Sequence, residues 1–303
     1  MIVRPRPQWW QLLFVMRGSV VPRILPHIFG FAAYAALVVA ATRTFDLRFA
    51  EFGPAPFALL GVTLSLYLGF RNNAAYDRWW EARKLWGQFV FDIRNLSRVV
   101  MAIVPEDSGE RRAILMETLA FAHLLRGQLR KVDATEDARR FAGDALDSVL
   151  TALNQPNAML LKIGARIGAL KAQGRIGDID FRILDERLAG IAMMQAGCER
   201  ISNTPLPFAY TLLLQRSAWA FCILLPFALA ASAGWSTALF TGLIAYSFFG
   251  LDALSQELED PFGAEANDLA LDALCRVCEI AVFEALGETP PELPAPAERF
   301  YFS

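Results

Sequence analysis

Apolar residues are gathered along this chain into four long stretches that charged segments separate. The stretches cover residues 24–42, 54–70, 206–231 and 238–254. Because about 20 mostly apolar residues in a helix cross the roughly 30 Å hydrocarbon layer of a bilayer, each stretch predicts a transmembrane helix. Short loops join the first stretch to the second and the third to the fourth. The pattern therefore predicts two transmembrane hairpins.

Basic residues flank the first hairpin on both sides. They are Arg4, Arg6, Arg17 and Arg23 before it, and Arg71, Arg78, Arg83 and Lys84 after it. Lys and Arg are enriched on the cytoplasmic side of membrane helices, which predicts that both chain termini and residues 71–205 lie in the cytoplasm. Residues 1–23 are basic and aromatic without a small-residue cleavage site, and we expect them to lie at the membrane interface.

Gln215 and Arg216 interrupt the third stretch about a third of the way along it. An ionisable residue inside a span is either functional or close to the end of the membrane. We favour the second interpretation, in which the bilayer begins after Arg216 and its guanidinium reaches the nearby interface.

The segment between the hairpins has helical periodicity. Apolar residues recur every three or four positions over residues 74–100, directly after the second stretch. This pattern predicts one helix from about residue 56 to about residue 100. Further helices are predicted over 110–132, 144–174 and 178–201, with Asp178 as an N-cap and Gly174 or Gly177 as a stop.

No run of alternating polar and apolar residues predicts a strand, so the fold class is all-α. The predicted divisions are an interfacial segment, the first hairpin, a cytoplasmic helical domain, the second hairpin, and a C-terminal helix with a proline-rich tail. They cover residues 1–23, 24–70, 71–205, 206–254 and 255–303.

Composition agrees with a membrane protein and leaves little room for other classes. The chain is 55% hydrophobic and 20% charged, with a mean hydropathy of +0.33. A net charge of -2 gives no general basic field, so we expect no nucleic-acid partner. Four cysteines in 303 residues do not form a secreted disulfide framework and favour a reducing compartment.

Motifs for catalysis or cofactor binding are missing from the sequence. Cys275 and Cys278 form a single C-x-x-C pair, which we interpret as structural because a zinc site needs more ligands. The charges at residues 77–83 are explained by ion pairs one helical turn apart. No phosphate-binding loop or nucleophile elbow is present. We therefore expect neither an enzyme nor a bound cofactor.

Three blocks of sequence resemble the bestrophin family in its bacterial branch. They are GFRNNAAYDRWWEARKLWG at 69–87, CERISNTPLPFAYT at 198–211 and EDPFGAEANDLALDALC at 259–275. The resemblance covers nearly the whole chain. It implies a multi-pass protein of the bacterial inner membrane, assembled as a homopentamer around one axial pore. It also implies a narrow hydrophobic neck, a wider vestibule and a second constriction at the cytoplasmic exit.

The resemblance places the pore neck on Val62, Leu66 and Phe70. These residues are four apart, so a helix presents them on one face. Spacing alone fits a lipid-facing or helix-packing role as well. An apolar ring can gate a pore by dewetting and holds no group that would trap an ion.

The resemblance also suggests an exit and a degenerate calcium site. Ile179 is our choice for the exit constriction, and Thr204 is the alternative. Animal members carry consecutive acidic residues after the Pro-Phe-Gly of the third block, but here only Glu265 and Asp268 follow. Calcium requires six to eight oxygen ligands. We therefore expect no calcium dependence.

Selectivity is left open by the sequence. The resemblance favours chloride, and the positive edge of the Phe70 ring suits an anion. Acidic residues such as Asp46 and Glu51 at the outer side would instead concentrate cations, so a monovalent cation channel is an alternative. A non-conducting membrane scaffold is a second alternative. A secondary transporter is disfavoured because no repeat is visible.

Overall fold

The structure of the chain is a computed structural model, which describes residues 8–12, 14–16, 18–45, 55–106 and 109–293. Every regular element in these ranges is helical. The α-helices are α1 (Trp9–Leu12), α2 (Val21–Thr44), α3 (Ala55–Ile103), α4 (Glu110–Arg130), α5 (Thr135–Ala142), α6 (Asp147–Leu150), α7 (Gln155–Ala172), α8 (Asp178–Asn203), α9 (Phe208–Ala233), α10 (Ser236–Glu259) and α11 (Leu271–Leu286). The predicted all-α fold is confirmed for this part of the chain.

The described residues divide into two compact units. The apolar unit contains the residues up to 79 and residues 205–260, and the polar unit contains residues 80–204 and those from 261 onward. Helix α3 begins in the apolar unit and ends in the polar unit. The prediction of one long helix leading out of the second stretch is therefore confirmed.

Three helices of the apolar unit are long and apolar enough to cross a membrane. Within the described residues they are α2, α9 and α10. Helix α3 does not reach this threshold, because its apolar part extends only from Ala55 to Phe70 before Arg71. Helix α9 continues without a break through Gln215 and Arg216. Helices α2, α9 and α10 are therefore the candidate membrane-spanning helices among the described residues.

The core of the apolar unit joins residues from all four of these helices. Phe31 of α2, Leu68 of α3, Phe221 of α9 and Phe249 of α10 are all at most 8% exposed and belong to one cluster. Aromatic rings interlock within it, and the Phe31 and Phe249 rings stack with centroids 5.6 Å apart. Close packing of these large side chains stabilises the unit through van der Waals contacts between its helices.

A buried ion pair lies beside this core. The Arg71 side chain is fully buried, and its guanidinium donates a hydrogen bond to the Asp252 carboxylate of α10. The Glu259 carboxylate lies 3.8 Å from the same guanidinium, and Gln256 donates to Asp252 at 2.9 Å. A buried charge is tolerated only when it is paired, so α3 can pack here in one rotational setting.

The polar unit is organised around α4. Most of this helix is buried, and it packs against α5, α7 and α11. The Arg166 guanidinium of α7 donates to the carboxylates of Glu117 at 2.7 Å and Glu110 at 2.8 Å. These hydrogen bonds raise the pKa of Arg166, which therefore keeps its charge. Because Arg166 pairs with it, the Glu117 carboxylate can be buried where α4 packs against α7.

The polar unit corrects the prediction of one helix over residues 144–174. A short turn of 3-10 helix and α6 end by Leu150, and α7 begins at Gln155. Asn154 caps α7, since its side chain accepts a hydrogen bond from the Asn157 amide at 3.0 Å. Pro156 occupies the first turn of α7, where a missing N–H costs nothing, whereas inside a continuous helix it would remove a hydrogen bond.

Two other local predictions were wrong. Gly177, and not Asp178, is the N-cap of α8, and the Asp180 carboxylate accepts a hydrogen bond from the Gly177 amide at 3.0 Å. This arrangement lets a carboxylate reach back from the third helical position. Glu81 pairs with Arg200 of α8 at 2.6 Å, so its partner is not one turn away on α3.

We predict that Asp252→Ala lowers the free energy of unfolding by about 3–5 kcal/mol, because Arg71 then keeps a buried charge without its nearest partner. The midpoint of thermal unfolding in detergent, followed by tryptophan fluorescence, measures this. Replacing both partners, as Arg71→Met with Asp252→Leu, should recover most of the loss. Glu288→Ala removes the more exposed pair with Arg112 and should change the midpoint little. An unchanged midpoint in Asp252→Ala would contradict the prediction.

Candidate pore-lining face

The three predicted neck residues lie together on an exposed face of α3. The side chains of Val62, Leu66 and Phe70 are 69%, 55% and 55% exposed within the chain. On the opposite face, Leu64 and Leu68 are only 6% and 1% exposed. Side chains on the two faces of α3 thus differ sharply in exposure. The predicted neck residues form an exposed stripe along one face.

Polar side chains beside the stripe have their hydrogen bonds satisfied within α3. The Thr63 hydroxyl donates to the Leu59 carbonyl at 2.9 Å, and the Ser65 hydroxyl donates to the Gly61 carbonyl at 2.8 Å. Each donor is occupied one turn back along its own helix. The exposed face therefore presents a mainly apolar surface to whatever lies against it.

The Phe70 ring is held in place by its neighbours. It meets the Tyr67 ring edge to face, with centroids 6.5 Å apart. Tyr210 of α9 donates to the Tyr67 carbonyl at 3.0 Å, which ties this turn of α3 to α9. Arg71, the next residue, is buried on the other side of the helix. The turn that carries Phe70 is therefore fixed on both sides.

The exposed stripe continues beyond Phe70 to two polar residues. Asn73 and Asp77 follow Phe70 by three and seven positions, and both are exposed. Residues at this spacing share a helix face. The charge pattern of residues 77–83 suggests only a surface ion pair for Asp77, although the spacing that groups Phe70 with the other neck residues also reaches Asp77. The first charged residue on this face is thus a carboxylate.

The two candidates for the exit constriction lie at opposite ends of α8. Ile179 is the second residue of this helix and is 75% exposed, whereas Thr204 is its exposed C-cap. Twenty-five residues of α-helix, at 1.5 Å each, separate them by about 37 Å. Ile179 and Thr204 therefore cannot belong to the same ring.

Ile179 stands between acidic side chains at a helix start. Asp178 pairs with Lys171 at 3.0 Å, and Asp180 accepts from the Gly177 amide. Both carboxylates lie where the positive end of the helix dipole stabilises them. Ile179 is thus an exposed apolar side chain with an aspartate on either side of it in the sequence.

Asp268, one of the two acidic residues of the degenerate calcium region, accepts a hydrogen bond within the loop before α11. Asp268 is buried, and its carboxylate accepts a hydrogen bond from the Glu265 amide at 2.7 Å. The Leu269 amide donates to the Pro261 carbonyl at 2.9 Å and closes the loop. The Glu265 side chain is exposed. The carboxylate of Asp268 thus stabilises the loop itself.

The cysteines of the polar unit are buried thiols. Burial raises the pKa of both Cys198 and Cys275 to about 12, and raises that of Cys278 well above its ordinary value. Within the described ranges, no three His, Cys, Asp or Glu side chains are grouped so that they could hold a metal ion. Asp46 and Glu51, the predicted outer acidic residues, lie outside the described residues.

Three long apolar helices among the described residues are typical of a helical membrane protein. The chain matches the family described as bacterial/fungal bestrophin protein over residues 1–284. This chain therefore belongs to the bestrophin family, as its three sequence blocks indicate.

Relatives and solved structures agree with this assignment. A voltage-dependent anion channel-forming protein of Mesorhizobium japonicum is 63% identical, covering 100% of this chain and 97% of the relative. The protein of that description from Escherichia coli is 41% identical, covering 97% of this chain and 96% of its own. The crystal structure of a bacterial bestrophin homologue from Klebsiella pneumoniae has a TM-score of 0.82 at 37% identity, covering 90% of this chain and 100% of that one.

Proposed function

We propose that this protein is one subunit of a homopentameric anion channel of the bacterial inner membrane. In this proposal α2, the first part of α3, α9 and α10 span the membrane, and both termini are cytoplasmic. The short apolar part of α3 needs neighbouring subunits and aromatic residues to fit the bilayer. The relatives are described as voltage-dependent anion channel-forming proteins, which supports an anion channel and gives no support to an enzyme.

The observation that carries the proposal is the exposed stripe of Val62, Leu66 and Phe70. One subunit leaves these residues uncovered, and a ring of subunits would bring five copies of each to a common axis. Three apolar rings would then form the neck. Water leaves a narrow apolar constriction easily, so the neck would act as a hydrophobic gate.

An apolar neck also suits rapid passage of small monovalent ions. It offers no charged group that would bind an ion too tightly for it to leave. Aromatic edges carry partial positive charge, so five Phe70 rings would favour an anion over a cation at this point. Chloride is the anion we propose. Ile179 is proposed as the exit constriction, where a second apolar ring would lie among acidic side chains.

One observation favours cation selectivity in the same fold. Asp77 lies on the stripe seven residues after Phe70, and five carboxylates near the axis would raise the local cation concentration. The names of the relatives favour anions and this residue favours cations. We give more weight to the relatives, because a charge in a wider, wetter part of a pore is screened.

We predict that purified protein in a planar bilayer under a KCl gradient gives currents that reverse near the chloride equilibrium potential. Changing Val62, Leu66 and Phe70 together to alanine should raise the current, because a wider neck is easier to hydrate. The matched control changes Phe29, Leu37 and Leu239 to alanine; these apolar residues of α2 and α10 are 68%, 69% and 63% exposed.

Reversal near the potassium potential would reject the anion proposal. In that case Asp77→Asn should move the reversal potential toward zero, since it removes the carboxylate from the stripe. Equal currents from the neck variant and the control variant would show that the stripe is not the neck. Silence of all variants would favour a non-conducting scaffold.

We also predict that the current does not depend on micromolar calcium. Tight calcium binding needs several carboxylates, whereas Asp268 is buried in the loop and Glu265 is the remaining acidic side chain of that segment. Excised patches exposed to stepped calcium concentrations on the cytoplasmic side measure this. A steep rise of current in the micromolar range would contradict the prediction.

A further inference from the structure

An apolar groove lies between α2 and α9 within the apolar unit. Its volume is about 550 Å³. His27, Gly30 and Phe31 of α2 line one wall, and Trp219 and Ile223 of α9 line the other. The lining is aromatic and aliphatic, so a hydrocarbon chain would find a complementary surface there.

Helices α2 and α9, which form the two walls of the groove, run in the same direction. The Phe31 and Trp219 ring centroids are 5.2 Å apart, and the Tyr34 hydroxyl donates to the Ile223 carbonyl at 3.2 Å. Further along, the Tyr34 ring meets the ring of Phe227. Because each step along α2 is matched by a step in the same sense along α9, the helices are parallel and the groove has two distinct ends.

One end of the groove is cationic. Arg23 lies one turn before His27 on α2, and Arg216 lies one turn before Trp219 on α9. Arg23 donates to the neutral Gln256 side chain at 2.9 Å, and the Arg216 side chain is exposed. The described ion pairs of the apolar unit are those of Arg71 with Asp252 and Glu259, and neither Arg23 nor Arg216 takes part in them. Arginines at the membrane interface attract anionic groups, and this pair lies at one end of an apolar groove.

Two further features of the groove suit a bound ligand. A Cβ atom at Gly30 would meet no atom within 4 Å, so the glycine leaves space that a side chain would fill. The Nδ1 atom of His27 is buried and has no hydrogen-bond partner in the described part of the chain. Space, an unsatisfied polar atom and positive charge thus coincide along one groove.

We propose that this groove binds one anionic phospholipid. Its phosphate would lie between Arg23 and Arg216, and one acyl chain would run along Phe31 and Trp219. The polar glycerol region would pass His27. A groove that is charged at one end and apolar along the rest matches an amphiphile better than it matches an equally apolar helix of a second copy. The inference requires α2 and α9 to lie in a membrane and does not require the protein to conduct.

Native mass spectrometry of the purified oligomer tests the proposal. Delipidated protein is mixed with equal amounts of phosphatidylglycerol and phosphatidylcholine, and retained lipid and subunit number are read together. We expect preferential retention of phosphatidylglycerol by the wild type. Arg216→Gln should lower the retention of phosphatidylglycerol about fivefold, because one arginine near an anionic lipid contributes about 1 kcal/mol. Arg216→Lys should restore most of the retention.

Gly30→Leu is the second test, since it places a side chain in the groove from a position where a Cβ atom meets nothing within 4 Å. It should abolish selective retention and leave the subunit number unchanged. Gly168→Leu, at a helical glycine of the polar unit whose Cβ also meets nothing within 4 Å, is the matched control and should retain lipid normally.

Three results would overturn the proposal. Equal retention of the two lipids would indicate non-selective lipid around the oligomer. Loss of subunits in Gly30→Leu, but not in Gly168→Leu, would show that the groove is an interface between copies of this chain. Undiminished phosphatidylglycerol retention in both Arg216→Gln and Gly30→Leu would show that the lipid binds elsewhere.

Discussion

The buried ion pair between Arg71 and Asp252 sets the orientation of the helix on which the proposed pore depends. A guanidinium inside an apolar unit must face its carboxylate, because an unpaired buried charge would cost several kcal/mol. This requirement fixes the rotation of α3 at Arg71. Phe70 is the preceding residue and lies on the exposed side, and Leu66 and Val62 share its face. The apolar stripe is thus a consequence of a polar contact on the other side of the helix.

The character of the stripe follows from hydrogen bonds within α3. Thr63 and Ser65 donate to carbonyls of their own helix, so the hydroxyls beside the stripe are already occupied. What remains is an apolar surface, and the next charged side chain along it is Asp77. In the proposed channel, this arrangement would separate two tasks. The neck would control whether the pore is wet, and the charges beyond it would influence which ions gather there.

Sequence periodicity was sufficient for long helices but not for contacts between distant segments. The length of α3 was predictable because apolar residues recur at helical spacing along it. The break before Gln155 was missed, because apolar residues continue through it and only Asn154 and Pro156 mark the boundary. The pairing of Arg71 with Asp252 joins residues 181 positions apart, which periodicity within one segment cannot reveal. Asp77 was visible on the stripe by spacing but was assigned to an ion pair.

Modifying single cysteines while current is recorded shows whether the stripe on α3 faces the permeating ions. The native cysteines are buried, so background reaction with a charged thiol reagent should be small. Leu66→Cys is compared with Leu68→Cys, which lies two residues away and is 1% exposed in the wild type. We expect the reagent to change the current rapidly in Leu66→Cys and hardly at all in Leu68→Cys. An unchanged current in Leu66→Cys, or an equal change in both variants, would contradict this expectation.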